Sequence, residues 1–125
     1  MAGVDIVMNY LSRMNHQSIL IITFGHFEKE LLDRLIKDVH IEFGYSVHTR
    51  DGHLDLSDYY EPTRRQYNGN KLLKDIDAAF SFGYTKTIGI FSVDLFIPIL
   101  TYIFGQAFLN GKSGIISTYR LYNER

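Results

Sequence analysis

The sequence contains no cysteine among its 125 residues. This absence excludes disulfide frameworks, redox chemistry at Cys-x-x-Cys, thiolate zinc sites and cysteine nucleophiles. It permits an intracellular location, and we expect the protein to be cytoplasmic. The length suits one domain, residues 1–125, with a core that needs neither disulfides nor metals for stability.

A large excess of charge of either sign is also lacking, with 13 Lys and Arg against 14 Asp and Glu. Without a basic excess we expect no nucleic-acid partner. The N-terminus carries Asp5 where a secretory signal needs an unbroken apolar core, and it has no basic residue before Arg13. We interpret residues 1–17 as an N-terminal extension or a short helix, whose apolar side would consist of Val4, Val7, Leu11 and Met14.

The sequence also lacks an unbroken apolar run long enough to cross a membrane. The uncharged run from Leu95 to Gly111 is interrupted by Pro98, Gly105 and Asn110. It is shorter than the roughly 20 mainly apolar residues that a membrane-spanning helix needs. We therefore expect no membrane insertion.

Apolar patterning predicts a strand, a helix and a second strand in the first part of the chain. SILIITF, residues 18–24, is a continuous apolar run, as expected for an interior strand covered on both faces. Apolar residues then recur at helical spacing from Phe27 to Phe43, and Gly44 is expected to end this amphipathic helix. Residues 45–50, YSVHTR, are rich in β-formers and complete a parallel βαβ unit.

The middle of the chain predicts a loop, a second helix and a third strand. Residues 51–68 have the composition of an ordered loop. Asn70 is expected to cap a second amphipathic helix, which Gly83 ends. TIGIFSV, residues 87–93, is the predicted third strand.

The last part of the chain predicts a hairpin around Asn110-Gly111. Residues 102–109 have an extended pattern, and GIISTYRL, residues 114–121, is β-forming. Asn-Gly favours a two-residue hairpin turn because both central residues of a type I′ turn need positive φ. Two strands joined in this way are antiparallel, so one strand runs against an otherwise parallel sheet, and an edge is its natural place.

One stretch resembles the end of a phosphate-binding loop, Gly111-Lys112-Ser113. That loop needs a glycine five residues before the Gly-Lys pair and a helix directly after it. Here Gln106 occupies the glycine position, and the residues that follow are β-forming. A hairpin turn is therefore the better interpretation.

The five histidines form no His-Glu-x-x-His motif. His48 and His53, together with Asp51 and Asp55, could gather a metal ion in the predicted loop, although solvated loop residues are the simpler reading. We predict no metal ligands and no catalytic residues in this sequence.

Several separated segments, taken in order, resemble the archaemetzincins, which are zinc metalloproteases of the metzincin clan. IGIFSVDLFIPILTYIFGQA, residues 88–107, is followed by ISTYRL, residues 116–121. Residues 60–67, with Arg64 or Arg65 before Gln66-Tyr67, are similar to the family's Tyr-Asp-x-x-Arg-x-Gln-Tyr segment. Glu61 and Thr101 stand where the family usually has Asp and Asn.

The resemblance covers residues 18–121 and implies the upper subdomain of the metzincin fold. This α/β fold has a mixed, mainly parallel five-stranded sheet with one antiparallel edge strand and two main helices. The resemblance places the edge strand at residues 104–109, on the rim of the substrate cleft. A peptide or protein substrate is expected to add to this strand as a further strand, with backbone contacts from Phe104, Gly105, Gln106, Ala107 and Phe108.

The resemblance also indicates what this sequence lacks. In the family a helix with His-Glu-x-x-His-x-x-Gly-x-x-His follows the Arg-Leu strand, and this sequence ends at Arg125 without it. The histidines bind zinc and the glutamate acts as general base. We therefore expect the N-terminal part of a zinc-dependent metallopeptidase, truncated before its catalytic part, without a cofactor of its own and inactive alone as an enzyme.

Two further expectations follow from the missing helix. Sheet surface that the helix would cover should remain apolar and exposed, so we expect self-association or binding of another chain there. The alternative function is a non-catalytic module that binds peptides or proteins by strand addition.

Overall fold

The computed structural model of the protein describes residues 6–7, 17–107 and 111–120. Residues 6–7 and 119–120 are helical, and the remaining described residues form nine strands, two further α-helices and a short 3-10 helix. The helices are α1 (Lys29–Phe43), α2 (Gly69–Phe80) and the 3-10 helix (Leu56–Tyr59). The strands are β1 (Ser18–Phe24), β2 (Ser46–Asp51), β3 (Tyr60–Glu61), β4 (Gln66–Asn68), β5 (Lys86–Phe91), β6 (Leu95–Ile97), β7 (Leu100–Ile103), β8 (Gly105–Ala107) and β9 (Ser113–Ser117).

The main sheet has five strands in the order β2-β1-β5-β9-β8. Strand β1 pairs in parallel with β2 and β5, and β5 pairs in parallel with β9. Strand β8 is antiparallel to β9 and ends the sheet. The predicted mixed sheet, mainly parallel with one antiparallel edge strand and two main helices, is therefore confirmed.

The register between β8 and β9 agrees with the predicted hairpin. Gly105 lies opposite Ile116, and Ala107 lies opposite Gly114. This is the register that a two-residue turn at Asn110-Gly111 requires. Asn110 lies outside the described residues, so the turn itself stays a prediction.

The strands β3, β4, β6 and β7 form a second sheet in that order. The prediction of a loop over residues 51–68 is therefore wrong. That segment contains β3, β4 and the 3-10 helix. The strands are only two and three residues long, too short for an alternating pattern to reveal them. The segment predicted to be extended over residues 102–109 contains parts of two strands, because β7 belongs to the second sheet and β8 to the main sheet.

The helix ends confirm one prediction and correct two. Gly44 ends α1 in the left-handed conformation, at φ 69°. Asn68 rather than Asn70 caps α2, because its side chain accepts a hydrogen bond from the backbone N–H of Lys71 at 3.1 Å. Helix α2 ends at Phe80, so Gly83 follows it at a distance instead of ending it.

None of the helices in the described ranges has the length and apolarity needed to cross a membrane.

The two faces of the main sheet are covered unequally. The face toward α2 holds the larger core, which contains Leu20, Ile22, Phe24, Leu72, Leu73, Ile76, Phe91 and Ile115. The opposite face buries Ile19, Ile21 and Ile90, and α1 contributes no fully buried residue to it. Helix α1 packs beside β2 at one side of the sheet. The part of this face over β9 and β8 is left accessible, as the exposure of Ile116 indicates.

Candidate functional site

The predicted site is the edge strand β8, and three of the five predicted residues lie in the strand as the structure describes it. Gly105, Gln106 and Ala107 form the strand. Phe104 precedes it with 47% of its surface exposed, and Phe108 lies outside the described residues. In the described part of the chain, β8 has β9 on one side and no strand on the other.

The hydrogen bonds to β9 determine which backbone groups of β8 are free for another strand. The carbonyl of Phe104 accepts a hydrogen bond from the N–H of Ser117 at 2.7 Å. Backbone groups alternate along an antiparallel strand, so the N–H and C=O of Gly105 and Ala107 point to the outer edge. These four groups are the ones that an added peptide strand could pair with.

The side chains of β8 differ between its two faces. Gln106 points toward α2, where its Nε2 donates to the side-chain oxygen of Asn70. Its Oε1 is buried and has no hydrogen-bond partner among the described residues. On the opposite face, a Cβ on Gly105 would lie only 2.8 Å from the carbonyl oxygen of Ile115. Gly105 is therefore required by the close approach of β9.

An apolar groove, the β9 groove, lies beside this strand and has a volume of about 720 Å³. Apolar and small residues form much of its lining, while lysines lie at the end where β5 and β9 begin. The lining includes Ile88, Gly105, Ala107, Gly114 and Ile116, together with Lys86 and Lys112. The groove and the outer edge of β8 are thus adjacent.

The segment that resembles the archaemetzincin pattern before α2 has a structural role. Arg64 donates to the carbonyl oxygens of Pro98 and Leu100 at 3.2 and 3.1 Å, and its guanidinium lies 4.3 Å from the centroid of the Phe96 ring. Arg64 rather than Arg65 therefore supports the β6–β7 turn. The sequence pattern identified this segment but gave no indication of these contacts.

Titratable groups near the second sheet are shifted by local hydrogen bonds and burial. Hydrogen bonds from the hydroxyl and the N–H of Thr63 lower the pKa of Glu61. Burial, followed by the hydrogen bond to the Asp75 carboxylate, raises the pKa of Tyr59 to about 12. Both shifts therefore reflect local structural contacts.

Three of the four candidate metal ligands of the sequence make other contacts. His48 lies edge-on to Tyr84 with the ring centroids 5.9 Å apart, Asp51 accepts from Thr23, and Asp55 accepts from Ser57. Within the described ranges, no group of three or more His, Asp or Glu side chains is placed to hold a metal ion. The residues that the structure describes therefore do not fit a zinc site, and the absence of a cofactor from the whole chain stays a prediction.

Comparisons with known proteins identify relatives over part of the chain. No protein-family model matches the sequence. Archaemetzincins from Haloquadratum walsbyi and Halobacterium salinarum are 37% and 39% identical to it over 62 residues. These matches cover 50% of this chain but only 35% of each relative. The chain thus matches about a third of the length of these curated relatives.

Solved structures extend the likeness to most of the chain. Archaemetzincin from Methanopyrus kandleri has a TM-score of 0.73 at 27% identity, covering 88% of this chain and 62% of that protein. A zinc-dependent peptidase from Methanocorpusculum labreanum has a TM-score of 0.71 at 22% identity, covering 85% and 66% of the two chains, and shares the fold. The resemblance predicted from the sequence is thus confirmed: over the part of their length that it spans, this chain is related to the archaemetzincins.

Proposed function

We propose that this chain supplies the scaffold and the substrate-cleft edge of an archaemetzincin-type zinc-dependent metallopeptidase. The observation that carries the proposal is the outward-facing backbone of Gly105 and Ala107 at the free edge of β8. His-Glu-x-x-His is absent from the 125 residues, so these residues bind and orient a peptide without providing metal chemistry. The chain by itself is then inactive as a peptidase, and its cytoplasmic location stays a prediction.

The strength of docking follows from the number of hydrogen bonds. The four outward backbone groups of Gly105 and Ala107 contribute about 1 kcal/mol each, and because this sum omits the entropy lost on association, these hydrogen bonds alone give a dissociation constant no tighter than about 1 mM. Side chains that enter the β9 groove would add apolar contacts. Strand addition alone is therefore weak, and specificity would come from the groove.

An NMR titration tests this docking role. We expect an extended peptide with small apolar side chains to shift and protect the amides of Gly105 and Ala107, with a dissociation constant near 1 mM. The control is the same peptide with alternate amides N-methylated, which removes the hydrogen bonds but keeps the side chains. Equal binding of the two peptides, or shifts confined to other strands, would show that β8 is not the docking edge.

A zinc titration separates this chain from a complete peptidase. Because no described cluster can hold a metal, we expect isothermal titration calorimetry to detect no tight stoichiometric zinc binding. We also expect no cleavage of a fluorogenic peptide in the presence of zinc. One tightly bound zinc ion per chain would overturn the assignment.

The alternative is a non-catalytic module that binds peptides by strand addition. It is favoured by a free edge strand in a described region that has no metal-ligand cluster. A search for His-Glu-x-x-His in frame after Arg125 in the gene distinguishes the two, because only a peptidase needs that motif. Self-association or binding of another chain through the β9 groove is a proposal under either function.

A further inference from the structure

We propose that Asp94 and Arg120 form a clamp that positions the edge strand β8 relative to the chain that leaves β9. Together with Gln66 and Tyr102 they are called the Asp94 clamp. Its importance for peptide docking rests on the function proposed above, but its action on β8 does not. These residues would be positioning residues, since none of them lies in β8.

The centre of the clamp is a buried carboxylate with charged and neutral donors. Asp94 is 9% exposed. Arg120 donates from Nε to Oδ1 at 2.9 Å and from Nη2 to Oδ2 at 2.7 Å. Gln66 donates from Nε2 to the same Oδ2 at 3.0 Å. This bidentate ion pair is the only Lys or Arg salt bridge found within the described ranges.

A second set of contacts connects the clamp to the segment that leads into β8. Gln66 Nε2 also donates to the carbonyl oxygen of Thr101 at 2.7 Å. The Arg120 guanidinium lies 4.1 Å from the centroid of the Tyr102 ring. That ring meets Phe104 edge-on, with centroids 5.6 Å apart. Phe104 directly precedes β8, so the stack reaches the residue next to the edge strand.

A third set of contacts attaches the end of β9 to the same place. The hydroxyl of Ser117 donates to the carbonyl oxygen of Val93, next to Asp94, and accepts from the N–H of Tyr119 at 3.1 Å. The N–H of Ser117 donates to the carbonyl of Phe104. The chain that continues past Arg120 therefore starts from a fixed point relative to β8.

The physical basis is the cost of breaking a partly buried ion pair, in which the side chains of Asp94 and Arg120 are 10% and 25% exposed. Removal of the Arg120 guanidinium leaves the largely buried Asp94 carboxylate without this cation. The charge-assisted, bidentate geometry also restricts orientation more than a single neutral hydrogen bond would. Loss of the clamp should therefore release β7, β8 and the end of β9 before it affects β1 at the other side of β5.

Amide hydrogen exchange of the full chain, without peptide, tests the clamp. We expect Asp94→Asn and Arg120→Gln each to accelerate exchange by about tenfold or more at the amides of Gln106 and Ser117, which face each other's strand between β8 and β9, with much smaller changes at Leu20 and Ile22 in β1. The double variant should be little worse than either single variant, because both remove the same interaction. Matched controls are Asp33→Asn and Arg34→Gln, which alter exposed charges on α1.

Equal acceleration of exchange in β1 and β8 would show that the ion pair stabilises the whole domain and not β8 in particular, which would overturn the proposal. Unchanged exchange in β8 would also overturn it. If the Asp94 variant does not fold, Tyr102→Leu keeps the ion pair and removes the stack, and it should still accelerate β8 selectively. Exchange without peptide separates this proposal from the docking function. If the wild-type chain binds no peptide, the docking function is refuted. If the clamp variants nevertheless lose protection in β8, the clamp is supported independently.

Discussion

Replacement of Phe91 by alanine is expected to lower the free energy of unfolding by about 3–5 kcal/mol. Phe91 is fully buried in the core between the main sheet and α2. Its ring stacks on Phe24 with centroids 4.7 Å apart and planes 5° from parallel, and Phe24 in turn meets Phe80 edge-on. The substitution removes one ring of this cluster and leaves a cavity that the paired strands cannot close. The loss is a large part of the roughly 5–15 kcal/mol that stabilises a domain.

Phe82 provides a matched control for this substitution. Its side chain is 85% exposed, so Phe82→Ala removes the same atoms without leaving a cavity. We expect its effect on the free energy of unfolding to lie within about 0.5 kcal/mol. Urea denaturation followed by circular dichroism measures both variants. Similar midpoints for the two variants would contradict the core that the structure assigns to Phe91.

Replacement of Gly105 by valine is expected to separate β8 from β9 and to abolish peptide docking. A Cβ at this position would lie 2.8 Å from the carbonyl oxygen of Ile115 and 3.0 Å from Cγ2 of Ile116. The first of these atoms belongs to the backbone of the paired strand, so it cannot move without breaking the ladder. Overpacking of this kind costs about 1–3 kcal/mol, which is comparable to the few hydrogen bonds that hold so short a strand.

Ala107→Val is the control for Gly105→Val. Ala107 lies two residues further along the same strand and faces the same side of the sheet. It pairs with Gly114, which has no side chain, so the added methyl groups have room. We expect protection of the Gln106 amide in β8 to persist in Ala107→Val and to disappear in Gly105→Val. Retained protection in both variants would show that Gly105 is not required by the contact with β9.

Long apolar patterns made the main sheet predictable from the sequence. The continuous apolar run at residues 18–24 is β1, and the amphipathic segment before Gly44 is α1. The Asn-Gly pair indicated the antiparallel direction of the last two strands, and the register of β8 and β9 agrees with it. These features depend on local periodicity and turn chemistry, which the sequence carries directly.

Short segments with several similar candidate residues could not be resolved in this way. Asn68 and Asn70 are both of a residue type that caps helices, and both precede the same apolar stripe. Only the structure identifies Asn68 as the cap. The predicted edge strand began one residue too early, because Phe104 forms the bend between the two sheets, and residues 108–109 lie outside the described residues. Periodicity gives no signal when a strand has two or three residues.

The order of the long elements, the antiparallel edge strand and the resemblance to the archaemetzincins could be read from the sequence alone. The pairing of the second sheet, the outward backbone groups of β8 and the ion pair of Asp94 with Arg120 become visible only in the folded chain. Asp94 and Arg120 are separated by 26 residues, and Gln66 and Thr101 by 35. Such contacts depend on the packing of distant segments, which local propensity and spacing do not encode.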